Sequence, residues 1–143
     1  MEDERAQKLS AALFAVYDVV ARTNDALEPA LREFGLTAGT AHLLWVVDPD
    51  APSPSMRTAA ERTHCTPQNV TFMCHQLEAK GLVTRKPSPT DLRQRVIELT
   101  PQGLAAREAI VGLASTRSPL AAVDEADLTR ITELLRSAPS RSA

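Results

Sequence analysis

Apolar residues in the first quarter of the chain recur at helical spacing. Leu9, Leu13, Val16, Val20, Leu27 and Leu31 follow one another at steps of 4, 3, 4, 7 and 4. That period, near 3.5, suits packing against other helices and predicts a helix over about 3–34, ended by Gly35. Thr37 can cap a second helix whose buried positions are Leu43, Leu44, Val46 and Val47. The stretch 48–55, DPDAPSPS, carries three prolines and reads as a loop. Ser55 can cap a short helix over 57–63. Thr66-Pro67 opens another, with a capping hydroxyl and then proline at the first helical position. That helix should run to about Lys80 and stop at Gly81.

Two short strands are expected over 82–85 and 95–99, around KPSPTDLRQ. Both sides of the second are partly apolar, so alternation does not assign its faces. Thr100-Pro101 starts a helix to about Ser115, Pro119 punctuates, and Asp124 caps a last helix with Leu128, Ile131, Leu134 and Leu135 on one side. Residues 138–143 read as a frayed tail. The predicted fold is mainly α with a small β-hairpin. A helix as long as the first needs a partner over most of its length. A subunit interface is therefore expected along it, at Leu9, Leu13 and Val16; an ordinary core helix is the alternative.

Composition narrows the class. The chain has 143 residues, 43% of them hydrophobic. This suits one domain with a real core rather than a disordered chain. No apolar run approaches the ~18–20 residues that span a bilayer. The start, MEDERAQKLS, lacks the order of a signal peptide, so a cytoplasmic location is expected. Net charge is −2, but residues 55–95 hold seven cations against three carboxylates, +4, which leaves −6 elsewhere. A basic middle between acidic flanks fits a nucleic-acid-binding lobe on a body that does not bind nucleic acid.

The segment Met56–Gly103 concentrates this signal. On the helix from Pro67, Val70, Met73, Cys74 and Leu77 share one face at i, i+3, i+4 and i+7. Gln68, Thr71, Phe72 and His75 repeat the spacing on the opposite face. A short helix, a turn and a second helix make a helix-turn-helix, whose second helix puts its N-terminal half in the DNA major groove. Gln68 and Asn69 stand there, and an amide can pair with both adenine N6 and N7. The exposed N–H groups of the first turn, which Thr66-Pro67 opens, suit a phosphate. Arg57, Arg85, Lys86, Arg93 and Arg95 supply cations, four of them on the hairpin, whose tip arginine can enter a narrow minor groove. Asp91 is expected to pair with Arg93 and hold its fork.

In GLTAGTAHLLWVV, CTPQNVTFMCHQLEAKGLV and DLRQRVIELTPQG the chain resembles the MarR family of transcriptional regulators over nearly its whole length. The resemblance implies a winged helix-turn-helix lobe over 37–100 and dimerisation helices over 1–34 and 101–137, the last helix adding Leu128, Ile131 and Leu135 to the interface. It implies a homodimer on a pseudo-palindromic double-stranded DNA operator, and repression in preference to activation. It also implies a cleft for a small aromatic effector, for which Tyr17, His42 and Trp45 are the candidates. No cofactor is implied. Three residues depart from the family pattern. Phe72 stands on the DNA face, where it touches thymine methyls or turns inward. His64 takes the place of a turn glycine, and histidine tolerates positive φ. Cys65 takes an aliphatic position, which suggests a buried structural thiol.

Other classes are weaker. Cys65 and Cys74, with His64 and His75, invite a metal- or redox-responsive regulator. However, Cys74 and His75 point ~100° apart on a helix. Nine residues of helix span ~13 Å, more than a disulfide's ~7 Å. No phosphate loop, nucleophile elbow or His-x-x-x-His motif is present, so neither catalytic nor metal-ligating residues are assigned. A winged helix that binds protein instead of DNA remains the other alternative.

Overall fold

A computed structural model describes residues 2–138. The expected tail lies, from residue 139 on, outside the described residues. In chain order the elements are α1 Glu2–Phe34, α2 Ala38–Val46, α3 Met56–Thr63, α4 Pro67–Ala79, β1 Val83–Pro87, β2 Arg95–Leu99, α5 Pro101–Arg117, a 3-10 turn Pro119–Ala122, and α6 Glu125–Arg136. The fold is mainly helical with one two-stranded antiparallel hairpin, a winged helix. The chain divides into two compact units, one formed by Leu27–Leu113 and the other by the residues on either side of it. The divisions fall inside α1 and α5 rather than at helix ends.

The Leu27–Leu113 unit holds a genuine core. Leu43 and Leu44 of α2, Ala59 of α3, Val70, Cys74 and Leu77 of α4, Ile97 of β2, and Ala106 and Ile110 of α5 are all fully buried. Val46, expected to be buried, is half-exposed, whereas Val47 is inside. Helices α2, α3 and α4 pack against one another, and the hairpin packs on α3 and α4. In the other unit Ala114 is the one buried apolar residue among those described. Leu9, Leu13, Phe14, Val16, Tyr17, Val20, Leu134 and Leu135 are exposed there; Leu128 and Ile131 are half-buried.

Three helices end in one way. After α1, Gly35 has φ +66, and the Leu36 amide donates to the Leu31 carbonyl at 2.7 Å. After α3, His64 has φ 54, and the Cys65 amide donates to Ala60 at 3.1 Å. After α4, Gly81 has φ +72, and the Leu82 amide donates to Leu77 at 3.0 Å. Each closure uses a left-handed residue to satisfy carbonyls that the helix leaves free. Histidine occupies the middle position as the sequence allowed. The caps at the other ends also hold. Thr37, Ser55, Thr66 and Asp124 each accept from the backbone N–H three residues on.

The hairpin runs Val83↔Leu99 through Pro87↔Arg95, so β1 lies one to two residues later than expected. Strand β2 is bonded on both edges. Beyond β1 it receives Ser55 through a bridge to Val96, and the Ile97 amide donates to the Pro54 carbonyl at 2.9 Å. The proline loop thus returns along β2, and both Val96 and Ile97 are buried, which is why simple alternation did not assign its faces.

The hairpin base is closed by contacts outside the ladder. The Thr100 amide donates to the Leu82 carbonyl at 3.0 Å, and the Thr100 hydroxyl to the Gly81 carbonyl at 2.5 Å. The same hydroxyl accepts from the Gly103 amide at 3.0 Å. Gly103 lies so near that a Cβ there would stand 1.8 Å from the Leu82 carbonyl oxygen. Gly103→Ala must therefore separate α5 from the turn. It should cost at least ~1–3 kcal/mol, as overpacking does, and lower the melting temperature by several degrees. An unchanged melting curve by circular dichroism would show that the close approach is dispensable.

Candidate nucleic-acid interface

Helix α4 is held by its inner face. Val70, Cys74 and Leu77 are fully buried and Met73 is half-buried, as the spacing predicts. Its outer face carries Gln68, Asn69, Phe72 and His75, all exposed, with Thr71 half-buried. Thr66 accepts from the Asn69 amide at 3.1 Å, and Pro67 has no N–H. The Gln68 amide is therefore the first-turn donor left without a cap. The Thr71 hydroxyl is already used, donating to the Pro67 carbonyl at 2.9 Å.

The wing tip is stiff for a local reason. Buried Ser88 accepts from the amides of Thr90 and Asp91 at 3.3 Å each. The Ser88 amide donates to the Gln94 carbonyl at 2.8 Å. Asp91 Oδ1 accepts from the Arg93 backbone amide at 3.0 Å. This corrects the expectation that Asp91 would hold the Arg93 fork. A carboxylate two residues ahead reaches the amide more readily than the guanidinium, so Asp91 shapes the turn and leaves the Arg93 side chain to solvent.

The four wing cations differ in state. Arg85, with only 19% of its side chain exposed, lies 2.5 Å from Glu78 Oε1 through its Nε. Neither atom reaches solvent or has an aligned hydrogen bond; the contact is a close ion pair. Arg85 Nη2 also lies 3.5 Å from His75 Nδ1. Arg85 thus ties the wing to the C-terminal half of α4. Lys86 pairs with Glu98 across the hairpin at 2.8 Å. Among the described residues, Arg93 and Arg95 have no ion pair. Arg57 meets Glu61 at 3.5 Å, both largely exposed, an arrangement that contributes little.

These side chains border a groove of about 410 Å³ between α3, α4 and the wing. Its walls are Ser55, Met56, Arg57, Thr71, Arg85, Arg93, Gln94 and Arg95. Four guanidinium groups line it and no carboxylate does. A second groove, about 670 Å³, continues along α3 and α4 past Ala60, Glu61, His64, Cys65 and Pro67. Helix, groove and wing together present amide side chains and a strip of positive charge on one lobe. That is the arrangement that positions a protein on phosphates while side chains read base edges.

Sequence reading placed Arg57, Thr66, Pro67, Gln68, Asn69, Thr71, His75, Arg93 and Arg95 on this lobe's reading elements. It missed Glu78, Ser88 and Gln94. Glu78 and Arg85 lie on different elements either side of Gly81, so no periodicity connects them. Ser88 is flanked by prolines that already marked a loop. The effector candidates fall in separate units: exposed Tyr17 in one, exposed His42 and Trp45 in the other. The Trp45 carbonyl accepts from Arg107 Nε at 3.1 Å.

Neither cysteine behaves quite alike. Cys65 is half-buried rather than inside, its thiol 3.5 Å from the Thr63 carbonyl. Cys74 is fully buried. Burial first, and the Glu78 charge second, push its thiol up to about 11 from 9.0, against a smaller opposing effect of Arg85. A thiol kept protonated is a poor nucleophile.

The MarR family model matches residues 34–94. No curated protein matches the chain in sequence. Among solved structures, the CouR protein of Rhodococcus jostii RHA1 bound to p-coumaroyl-CoA is 22% identical. It covers 96% of this chain and 97% of its own, with a TM-score of 0.76. The transcriptional repressor CouR bound to a 23-mer DNA duplex is 22% identical over 89% of this chain and 88% of its own, TM-score 0.72. Reduced AbfR bound to DNA is 23% identical over 95% and 94%, TM-score 0.72.

The Cys74 thiol makes one prediction. Its folded pKa lies above the unfolded value, so the stability it contributes is intact below pH 9 and lost as pH rises toward 11. Melting temperature should fall more steeply over that interval in the parent than in Cys74→Ala. Parallel slopes in the two proteins would mean that the thiol is not proton-linked to folding.

Proposed function

We propose that this chain, a member of the MarR family, is a sequence-specific regulator of transcription that binds double-stranded DNA in the cytoplasm as a homodimer. Among the described residues no helix is long and apolar enough to cross a membrane. The observation that carries the reading is the groove beside α4, lined by four arginines and no carboxylate. Gln68 and Asn69 read base edges in the major groove; Arg93 enters the minor groove; Arg95 and Arg57 meet phosphates. Thr66 and Pro67 fix the helix start, Thr71 and His75 lie along the reading face, and Asp91 shapes the wing tip. Arg85 and Lys86 hold the shape of the wing more than they offer free contacts, since each already has a carboxylate partner.

The dimer is supported by the unit that lacks a core. Leu9, Leu13, Val16 and Leu135 stand exposed, with Leu128 and Ile131 half-buried. A large exposed apolar patch marks an interaction site, and residues 1–34 and 101–137 are the dimerisation helices of this reading. A two-fold dimer requires a pseudo-palindromic operator, with half-sites about one helical turn (~34 Å) apart. Occupying a promoter in this way represses it. A small aromatic effector is the third partner, with His42 and Trp45, both in the Leu27–Leu113 unit, as its residues. Both join apolar surface to a polar tip, and the similar CouR protein was solved bound to p-coumaroyl-CoA.

Genomic footprinting with the purified protein should yield pseudo-palindromic sites. On such a site, Arg93→Ala should weaken binding and reduce the slope of log affinity against log salt by about 1. Gln68→Ala with Asn69→Ala should instead flatten the preference between operator and unrelated duplex, by ~1–3 kcal/mol per lost bidentate contact. A protein that retards no duplex at low salt is an interaction module, not a regulator of this kind. Leu9→Glu with Leu13→Glu should convert the dimer to monomer in sedimentation velocity; an unaffected dimer would place the interface elsewhere.

A further inference from the structure

Phe72 is 64% exposed, on the outer face of α4, one helical turn beyond Gln68 and one before His75. Both neighbours on that face are polar, so nothing apolar on the helix covers the ring. It lines neither groove beside the helix. Having no charge and no donor, it can neither neutralise a phosphate nor hydrogen-bond a base edge. In water so large an apolar surface is unfavourable; against duplex DNA it has one matching feature. The thymine C5-methyl is the apolar group that the major groove presents, and phenylalanine is among the residues that contact it.

We propose that Phe72 is a specificity-determining residue that selects a thymine methyl in each half-site. This inference rests on the DNA-binding reading of α4. The rise from Gln68 to Phe72 is ~6 Å of helix, or about two base-pair steps at ~3.4 Å. Gln68 and Asn69 favour adenine through N6 and N7. Phe72 then adds a thymine about two pairs along, on the side toward the C-terminal half of the helix. Thr71 supplies little competing polarity, because its hydroxyl is held by the Pro67 carbonyl. The half-site read by α4 should therefore be rich in A·T pairs, with one thymine whose methyl matters more than its hydrogen bonds.

The test begins by selecting duplexes from a random pool with the parent protein. Each thymine of the recovered half-site is then replaced by deoxyuridine, which pairs identically and lacks the methyl. At one position the parent should lose roughly fourfold in affinity, the value of one buried methyl at about 0.8 kcal/mol. Phe72→Ala should bind the thymine duplex several-fold more weakly and should not distinguish thymine from deoxyuridine there. Phe72→Leu, which keeps an apolar side chain, should retain part of the distinction. Circular-dichroism spectra and melting curves that match the parent's show that the variants are folded. A parent indifferent to deoxyuridine at every position overturns the inference while leaving DNA binding intact. So does a deoxyuridine loss that persists unchanged in Phe72→Ala. Failure to select any duplex overturns the DNA-binding reading itself, and this inference with it.

Discussion

The reading lobe depends on a close backbone approach at the base of its hairpin. Gly103 stands where any side chain would strike the Leu82 carbonyl, and Thr100 bonds back to both Gly81 and Leu82. Strand β1 leaves from this turn and β2 returns to it, so both ends of the wing are set by one contact. The same turn closes α4 through Gly81 and the Leu82 amide. Recognition helix, wing and α5 are thereby referred to a single fixed point. A movement of α5 at Gly103 would change the aim of the wing and the end of the helix together. The spacing between GLV and LTPQG in the sequence is the linear trace of this contact.

Charge on the lobe is arranged more sparingly than a count suggests. Of four cations on the hairpin, Arg85 and Lys86 each meet a carboxylate within the lobe. The first of these pairs is largely shielded from solvent, where losing one partner would leave a costly buried charge. It binds wing to helix; it is not a reserve of charge for a ligand. Arg93 and Arg95 carry the free charge. A protein with a net charge of −2 and two unencumbered wing arginines gains modestly from bulk electrostatics. In the proposed reading, choice among sequences rests on the base-edge contacts of Gln68, Asn69 and Phe72.

The elements were legible because their signals are local. Capping oxygens on the side chains of Thr37, Ser55, Thr66 and Asp124, and left-handed closures at Gly35, His64 and Gly81, each act within a few residues. The two faces of α4 followed from a spacing of three and four. Contacts across elements were not legible. Nothing between Glu78 and Arg85, or between Leu82 and Gly103, marks them as neighbours until the turn at Gly81 and the hairpin bring them together. Asp91 shows a subtler limit. Its proximity to Arg93 was evident, but whether it holds the side chain or the amide is decided by the local turn. Val96 and Ile97 were ambiguous for a similar reason: the loop over Pro54–Ser55 covers an edge that the strand's own pattern does not reveal.

The unit with one buried apolar residue among those described has a consequence for dosage. A chain that leaves Leu9, Leu13, Phe14, Tyr17 and Leu134 in water gains stability from association, so its folding and its concentration are coupled. Below the dissociation constant of such a dimer, the amount of two-headed protein grows as the square of the number of chains. Halving synthesis would then cut the occupied fraction of a weakly held operator about fourfold. The long first helix would set a threshold in protein number, independent of anything the reading face recognises.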